Sequence, residues 1–299
     1  MNPYIVLVVQ LLLSGGNYII ANAATQTIPP PNLTFLRTVI SGVVYLLYLF
    51  YARLPFRYRG RDLALLLFLS FISVSLNQFV FLYGMKYTTA TEGALFYALT
   101  PIFVMLLSRR YLNEKITSAK IVGTAMAFVG VVVVIMSKGS FIGNEFHIEI
   151  SHMKGDILIF IAVMAWATFT TLGRKLVVKH GAVNSTVYTA LIGTIFFAPV
   201  GITSSVGYNY LTLSGGQWMQ VLYLSLGTSI GGYILWYYAL GKIEASKVAV
   251  FTNGQPVVTA ILAYIFLDQG ITVPFALGAL VTIGGVLITQ MDLRTKRSG

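Results

Sequence analysis

The chain has 299 residues, 57% of them hydrophobic and only 10% charged, with a mean hydropathy of +0.79. A soluble domain of this size needs far more charge to cover its surface, so a water-soluble globular fold is excluded. The net charge of +11 falls in alternate loops rather than on one patch, which argues against nucleic-acid binding, and the absence of cysteine removes disulfides and thiolate metal sites.

Apolar runs of about 20 residues recur along the whole length, the pattern of a polytopic helical membrane protein whose first partner is the lipid bilayer. They predict ten spans: 3–22, 33–52, 63–84, 90–108, 117–137, 156–175, 184–203, 218–240, 246–267 and 273–291. The first carries Gln10, Ser14, Asn17 and Ala21 on one helical face, which should turn inward as interhelical glue or as a cavity wall. Ala21-Asn22-Ala23 resembles a signal-peptidase site, yet no basic n-region precedes it, so this span is expected to be a retained helix. Arg37 lies within span 2, and Arg53, Arg57, Arg59 and Arg61 follow it.

Span 3 offers Asn77, Gln78 and Tyr83 as further cavity candidates. Span 4 holds Tyr97 and a central proline, Pro101, about 16 Å from the start of the helix. A proline there removes one backbone donor and leaves the Tyr97 carbonyl to find another partner. Such a break is either a static bend or a hinge beside a cavity. Glu92 opens this span and, with Arg37, is a possible outer gate, ordinary interfacial anchoring being the alternative. Arg109, Arg110, Lys115 and Lys120 follow.

Residues 139–155 read as a connecting loop. Its His147, His152, Glu145 and Glu149 match no closed metal site, and no metal or cofactor is expected. Span 6 sets Trp166 and Thr170 on one face and is followed by Arg174, Lys175 and Lys179. Span 8 combines Gly227 and Gly231, a close-packing pair, with Tyr233, Trp236 and Tyr237. Tyr233 and Trp236 are cavity candidates, and a ring-lined cavity would suit apolar ligands or an ammonium. Lys242 and Lys247 follow span 8. In span 9, Asn253 and Gln255 flank a second central proline, Pro256, whose missing N–H leaves the Thr252 carbonyl open. Arg294, Lys296 and Arg297 follow span 10. With only Lys86, Lys138 and Lys154 in the opposite loops, the positive-inside rule places both termini in the cytoplasm of a cell that carries the protein in its cytoplasmic membrane.

A shift of 155 residues lays the second half over the first. It pairs Tyr83 with Tyr238, Ala94 with Ala249, Phe96 with Phe251, Pro101 with Pro256, Ile116-Thr117 with Ile271-Thr272, Gly123 with Gly278 and Gly130-Val131 with Gly285-Val286. Matched Pro, Thr and Gly at one offset are far less accidental than matched leucines. A unit of five spans is odd, so its two copies must sit upside down to each other. The fold expected is therefore all-α and integral to the membrane: ten transmembrane helices as two inverted five-helix repeats, residues 1–138 and 156–299. That architecture belongs to secondary transporters, with the substrate site at the midplane.

The series Ala90, Ala94, Phe96, Pro101, then LNEKIT at 112–117, then Gly123 and Gly130, resembles the EamA family of the drug/metabolite transporter superfamily. Pro31, Leu33 and Arg37 are similar to that family's second helix, and Trp166 and Arg174 to its first-helix Trp and basic position. The corresponding first-half residues are Ser14 and Asn22, and the counterpart of Glu114 is Gln269. The resemblance implies export of amino acids or related small organic metabolites by alternating access. Uptake or exchange of a nucleoside, a quaternary amine or a nucleotide sugar is the alternative within transport; a channel or a membrane-embedded enzyme lies outside it. No carboxylate falls near a midplane, which favours facilitated movement over proton or sodium coupling. No Walker A motif provides an ATP-hydrolysing site and no catalytic motif is present, so a non-enzyme is expected. Nothing in the sequence assigns an oligomeric state.

Overall fold

The computed structural model describes residues 2–88, 90–137, 150–258, 261 and 273–291. These are helical throughout, with no strand among them. Helix α1 is Pro3–Thr27, α2 is Pro30–Ala52 and α3 is Arg61–Met85. Helix α4 is made of two runs, Ala90–Tyr97 and Thr100–Leu112. Helices α5 (Ser118–Ser137), α6 (Ile150–His180) and α7 (Ala182–Ser205) follow. Helix α8 comprises Gly215–Leu222, Tyr223–Gly232 and Tyr233–Leu240. Helix α9 starts with Ala245–Ala249 and Val250–Gly254 and is described as far as residue 258; α10 is Val273–Gln290.

Five of these are long and apolar enough to cross a membrane: Pro3–Thr27, Pro30–Ala52, Arg61–Met85, Met153–His180 and Ala182–Ser205; Ser118–Val133 and Ala276–Gln290 are shorter apolar helices. Their outward faces are apolar, with Leu47, Phe50, Ile195 and Leu280 each about two-thirds exposed. In water such a surface would aggregate; against lipid chains it costs nothing. The connection expected over 139–155 is shorter than the sequence suggests, because α6 begins at Ile150 and takes residues 150–155 into its first turns.

Several helices are interrupted midway, each for a local reason. Helix α4 breaks at residues 98–99, just ahead of Pro101. In α9 the run before Pro256 tightens into a 3₁₀ turn, and the Gln255 N–H takes up the Thr252 carbonyl. The carbonyl expected to be open is therefore satisfied within its own helix. Helix α1 breaks at Gly15-Gly16, where the Tyr223 hydroxyl accepts from the Gly16 N–H at 3.1 Å and donates to the Leu13 carbonyl at 2.7 Å. In α3 and α8 the middle turns widen to π geometry, over Ile72–Gln78 and Tyr223–Gly232. Wide turns of this kind recur at functional sites.

The packing repeats itself under the 155-residue shift. Helix α1 lies on α8 as α6 lies on α3, α2 on α8 as α7 on α3, and α2 packs on α7. Helices α5 and α10 cross closely through glycine. A Cβ on Gly130 would come within 2.7 Å of the Gly278 carbonyl, and one on Gly285 within 2.6 Å of the Gly123 carbonyl. Since Gly123 corresponds to Gly278 and Gly130 to Gly285, this contact maps onto itself when the two sets are exchanged.

The core falls in two apolar clusters. One gathers Leu7, Leu69, Phe169 and Leu240; the other gathers Tyr18, Leu82, Val163 and Leu224. Between the two clusters lie the polar Gln10, Ser14 and Asn17 of α1, Asn77 and Gln78 of α3, and Trp166 of α6, which line the cavity described next.

Candidate functional site

A cavity of about 70 Å³ lies between the two clusters. Helix α1 contributes Gln10, Ser14, Asn17 and Tyr18, and α2 contributes Arg37. Helix α3 supplies Asn77, Gln78 and Phe81 from the end of its π turn, and α4 supplies Tyr97 just before its break. From the other side come Trp166 of α6, then Thr228, Gly232 and Tyr233 of α8, and Thr252 and Gln255 of α9. Every interrupted helix thus reaches the cavity at or next to its interruption.

The lining is tied by hydrogen bonds that cross between helices. Asn77 donates to the Tyr97 hydroxyl at 2.9 Å and to the Ala162 carbonyl at 3.0 Å. Tyr233 donates to Asn77 Oδ1 and accepts from Gln78 Nε2, both at 3.3 Å. Tyr18 donates to Gln255 Oε1 at 2.9 Å. Trp166 packs edge-on to Tyr233 and stacks on Phe169.

Arg37 is the one charged residue in this lining. It is 4% exposed, and its partners are neutral: Nε donates to Ser229 Oγ at 2.6 Å and Nη2 to Thr228 Oγ1 at 2.9 Å. Among the described residues no carboxylate lines the cavity. The guanidinium lines the cavity inside the bundle; the Glu92 side chain, its expected partner in an outer gate, lies outside the described residues.

Of the other residues singled out from sequence, Asn17, Asn77, Gln78, Tyr97, Trp166, Tyr233 and Gln255 line the cavity, and four do not. Thr170 and Trp236 face each other across the α6–α8 contact, where the indole N–H donates to the Thr170 hydroxyl at 3.2 Å. Tyr83 turns to the opposite side of α3, against Phe79 and Tyr87, with the Lys154 ammonium 5.7 Å from its ring. Asn253 is fully buried, and neither of its amide atoms has a partner among the described residues. In a 3₁₀ turn residues three apart share a face, so Thr252 and Gln255 look into the cavity while Asn253 turns away. Tyr18, Phe81, Thr228 and Thr252 escaped sequence reading because an aromatic or hydroxyl residue on an apolar helix carries no directional signal alone. His147 falls outside the described residues, as do Glu145, Glu149 and Gln269, and nothing is described of the His152 side chain.

A second polar cluster closes one end of the bundle. Asn113 ends α4 in the left-handed conformation, at φ 56°, and turns Glu114 toward the start of α9. There the buried carboxylate accepts from the Ala245 N–H at 2.7 Å, the Ser246 N–H at 3.2 Å and the Ser246 hydroxyl at 2.6 Å. A carboxylate at a helix N-terminus is favourably placed against unpaired N–H groups and the helix dipole. Arg174 reaches it at 3.4 Å and Lys120 at 3.7 Å, while Lys120 also pairs with Glu244 at 2.8 Å. Arg174 further donates to the Leu240 carbonyl at 3.2 Å, and Asn22 donates to the Met85 carbonyl at 3.0 Å. Leu240 and Met85 correspond under the 155-residue shift, so the basic residue and the amide close equivalent helix ends.

The EamA-like transporter family matches residues 1–136 and again 153–291. An uncharacterized transporter of Archaeoglobus fulgidus is 29% identical over 96% of this chain and 96% of its own length. A probable terminal-alkyne amino-acid exporter of Streptantibioticus cattleyicolor is 25% identical over 81% of this chain and 78% of its own. A crystal structure of a protein 17% identical superposes with a TM-score of 0.78 over 99% of both chains, which establishes the shared fold. Matched twice by one family model and end to end by a transporter, this multi-pass membrane protein belongs to the EamA-like transporter family.

Proposed function

We propose that the protein is a secondary transporter of the cytoplasmic membrane that moves small organic metabolites of the amino-acid class outward. It works by alternating access between two inverted five-helix halves, residues 1–138 and 156–299, in a ten-span chain with both termini in the cytoplasm. The observation that carries this reading is the polar cavity within the bundle, shared by helices of both halves and bordered by residues of both apolar clusters. The self-mapping glycine crossing of α5 and α10 supports the inverted relation of the halves.

A cavity of about 70 Å³ holds a handful of waters, given about 15 Å³ for each. An organic solute needs it wider, so transport requires the lining helices to part. The Glu114 cluster is the cytoplasmic gate: it joins the end of α4 in one half to α6 and α9 in the other. Pro101 and Pro256 place breaks where α4 and α9 would bend as a gate opens.

Within transport, the cavity chemistry separates the alternatives. Tyr18, Tyr97, Trp166 and Tyr233 would suit a quaternary amine, but Arg37 in the same chamber repels a cation. A nucleotide sugar brings two phosphates to a single guanidinium. The test is counterflow: proteoliposomes loaded with an unlabelled amino acid should accumulate the labelled one, saturably, and empty liposomes should not.

A further inference from the structure

Arg37 poses an electrostatic problem that the transport reading leaves open. A guanidinium buried in a bundle costs several kcal/mol unless an anion neutralises it. Ser229 and Thr228 satisfy two N–H groups and no charge. Nη1 donates to no protein acceptor among the described residues, and the group forms part of the cavity wall. Two acceptors of the same wall, Asn17 Oδ1 and Gln78 Oε1, are buried and have no partner either. The chamber thus holds a cation without an anion and carbonyl oxygens without a donor.

From this we infer that Arg37 is the receptor for the substrate's carboxylate, and that Asn17 Oδ1 and Gln78 Oε1 receive its ammonium group. The occupant is then a zwitterion, with its side chain against the rings of Tyr18, Phe81 and Trp166. A guanidinium matches a carboxylate with two parallel N–H···O bonds, which a neutral amide cannot replace. Arg37 is therefore the residue that selects acids over amides. The zwitterion leaves the chamber's net charge unchanged, so the relief of Arg37 comes from local pairing of its guanidinium with the carboxylate.

This inference rests on the cavity being a substrate site, so its test reads binding rather than flux. The full chain in detergent is titrated with a panel of amino acids, the corresponding amino-acid amides, the deaminated acids, and sodium chloride or phosphate, following thermal stability and Trp fluorescence. At least one amino acid should bind at least about tenfold more tightly than its amide, with the deaminated acid in between. Arg37→Gln should lose that preference, and Arg37→Lys should keep part of it. If Arg37→Gln does not fold, the acid–amide comparison on the wild type still decides. Equal affinity of the wild type for acids and amides would overturn the inference. So would a preserved preference in Arg37→Gln, or full displacement by chloride or phosphate at equal concentration, which would mark an inorganic-anion site. Tight acid binding without counterflow would instead defeat the transport reading and leave the assignment of Arg37 standing. Saturable counterflow of a solute lacking a carboxylate would do the reverse.

Discussion

Gln78 donates to the hydroxyl of Tyr233 at 3.3 Å, and the two residues are 155 positions apart, the offset of the internal repeat. A residue that touches its own counterpart sits on the axis relating the halves. This contact is in the cavity wall, so under the proposed alternating access the exchange of the halves would pivot close to it. Tyr233→Phe keeps the ring against Trp166 and removes the hydroxyl that links Gln78 to Asn77. Losing these two buried bonds at the pivot should slow flux at least about tenfold, with Tm changing by no more than a few degrees. Initial rates in proteoliposomes, set beside a thermal melt of the same preparation, read both quantities.

The gate prediction concerns Glu114. Glu114→Gln keeps one of the two oxygens that accept from the α9 N–H groups and removes the charge that holds Arg174 and Lys120. The cytoplasmic end should open more often. Because the chain has no cysteine, a single Ser14→Cys reports on the cavity without background. Its labelling by an impermeant maleimide from the cytoplasmic face should quicken several-fold in Glu114→Gln. Unchanged labelling would remove Glu114 from the gate.

Asn253 and Trp166 make opposite demands. Trp166→Ala removes a cavity wall, and transport should fall at least tenfold while the protein still inserts. Asn253 keeps two buried amide atoms without partners, at a cost of about 1–3 kcal/mol each. Asn253→Leu should therefore raise Tm, and if the amide serves a moving α9 it should also lower transport. A rise in Tm with normal transport would assign Asn253 no part in function.

The α5–α10 crossing tests the inverted relation energetically. Gly123→Ala and Gly285→Ala should each cost about 1–3 kcal/mol, because the added methyl meets backbone on the partner helix. Together they should cost less than their sum, since the first already forces the helices apart. Their counterparts Gly278→Ala and Gly130→Ala should follow the same pattern in thermal melts.

Much of this fold is legible in the chain because its cause is local. Pro101 cannot donate, so α4 breaks ahead of it, and glycines at a constant offset mark the helix crossing. The polar stripe Gln10, Ser14 and Asn17 faces the cavity because burial of polar groups in lipid leaves no alternative. The break at Gly15-Gly16 is different: it depends on the Tyr223 hydroxyl, 207 residues away, filling the gap. Arg37 reads as an outer anchor in sequence because its depth depends on the tilt of α2 and on the π turn of α8 that presents Thr228 and Ser229. Asn253 and Gln255 look equivalent until the 3₁₀ turn rotates one away from the other. Tyr83, Thr170 and Trp236 lie on regular α-helical turns, and their sequence does not show which face a partner helix covers.

The most direct measurement is counterflow with the purified full chain in proteoliposomes, using whichever amino acid stabilises it best. Alternating access around the central cavity requires saturable, trans-stimulated uptake of label that Trp166→Ala impairs. Flux that rises linearly with concentration and ignores the trans solute, or no flux of any stabilising ligand, would contradict it.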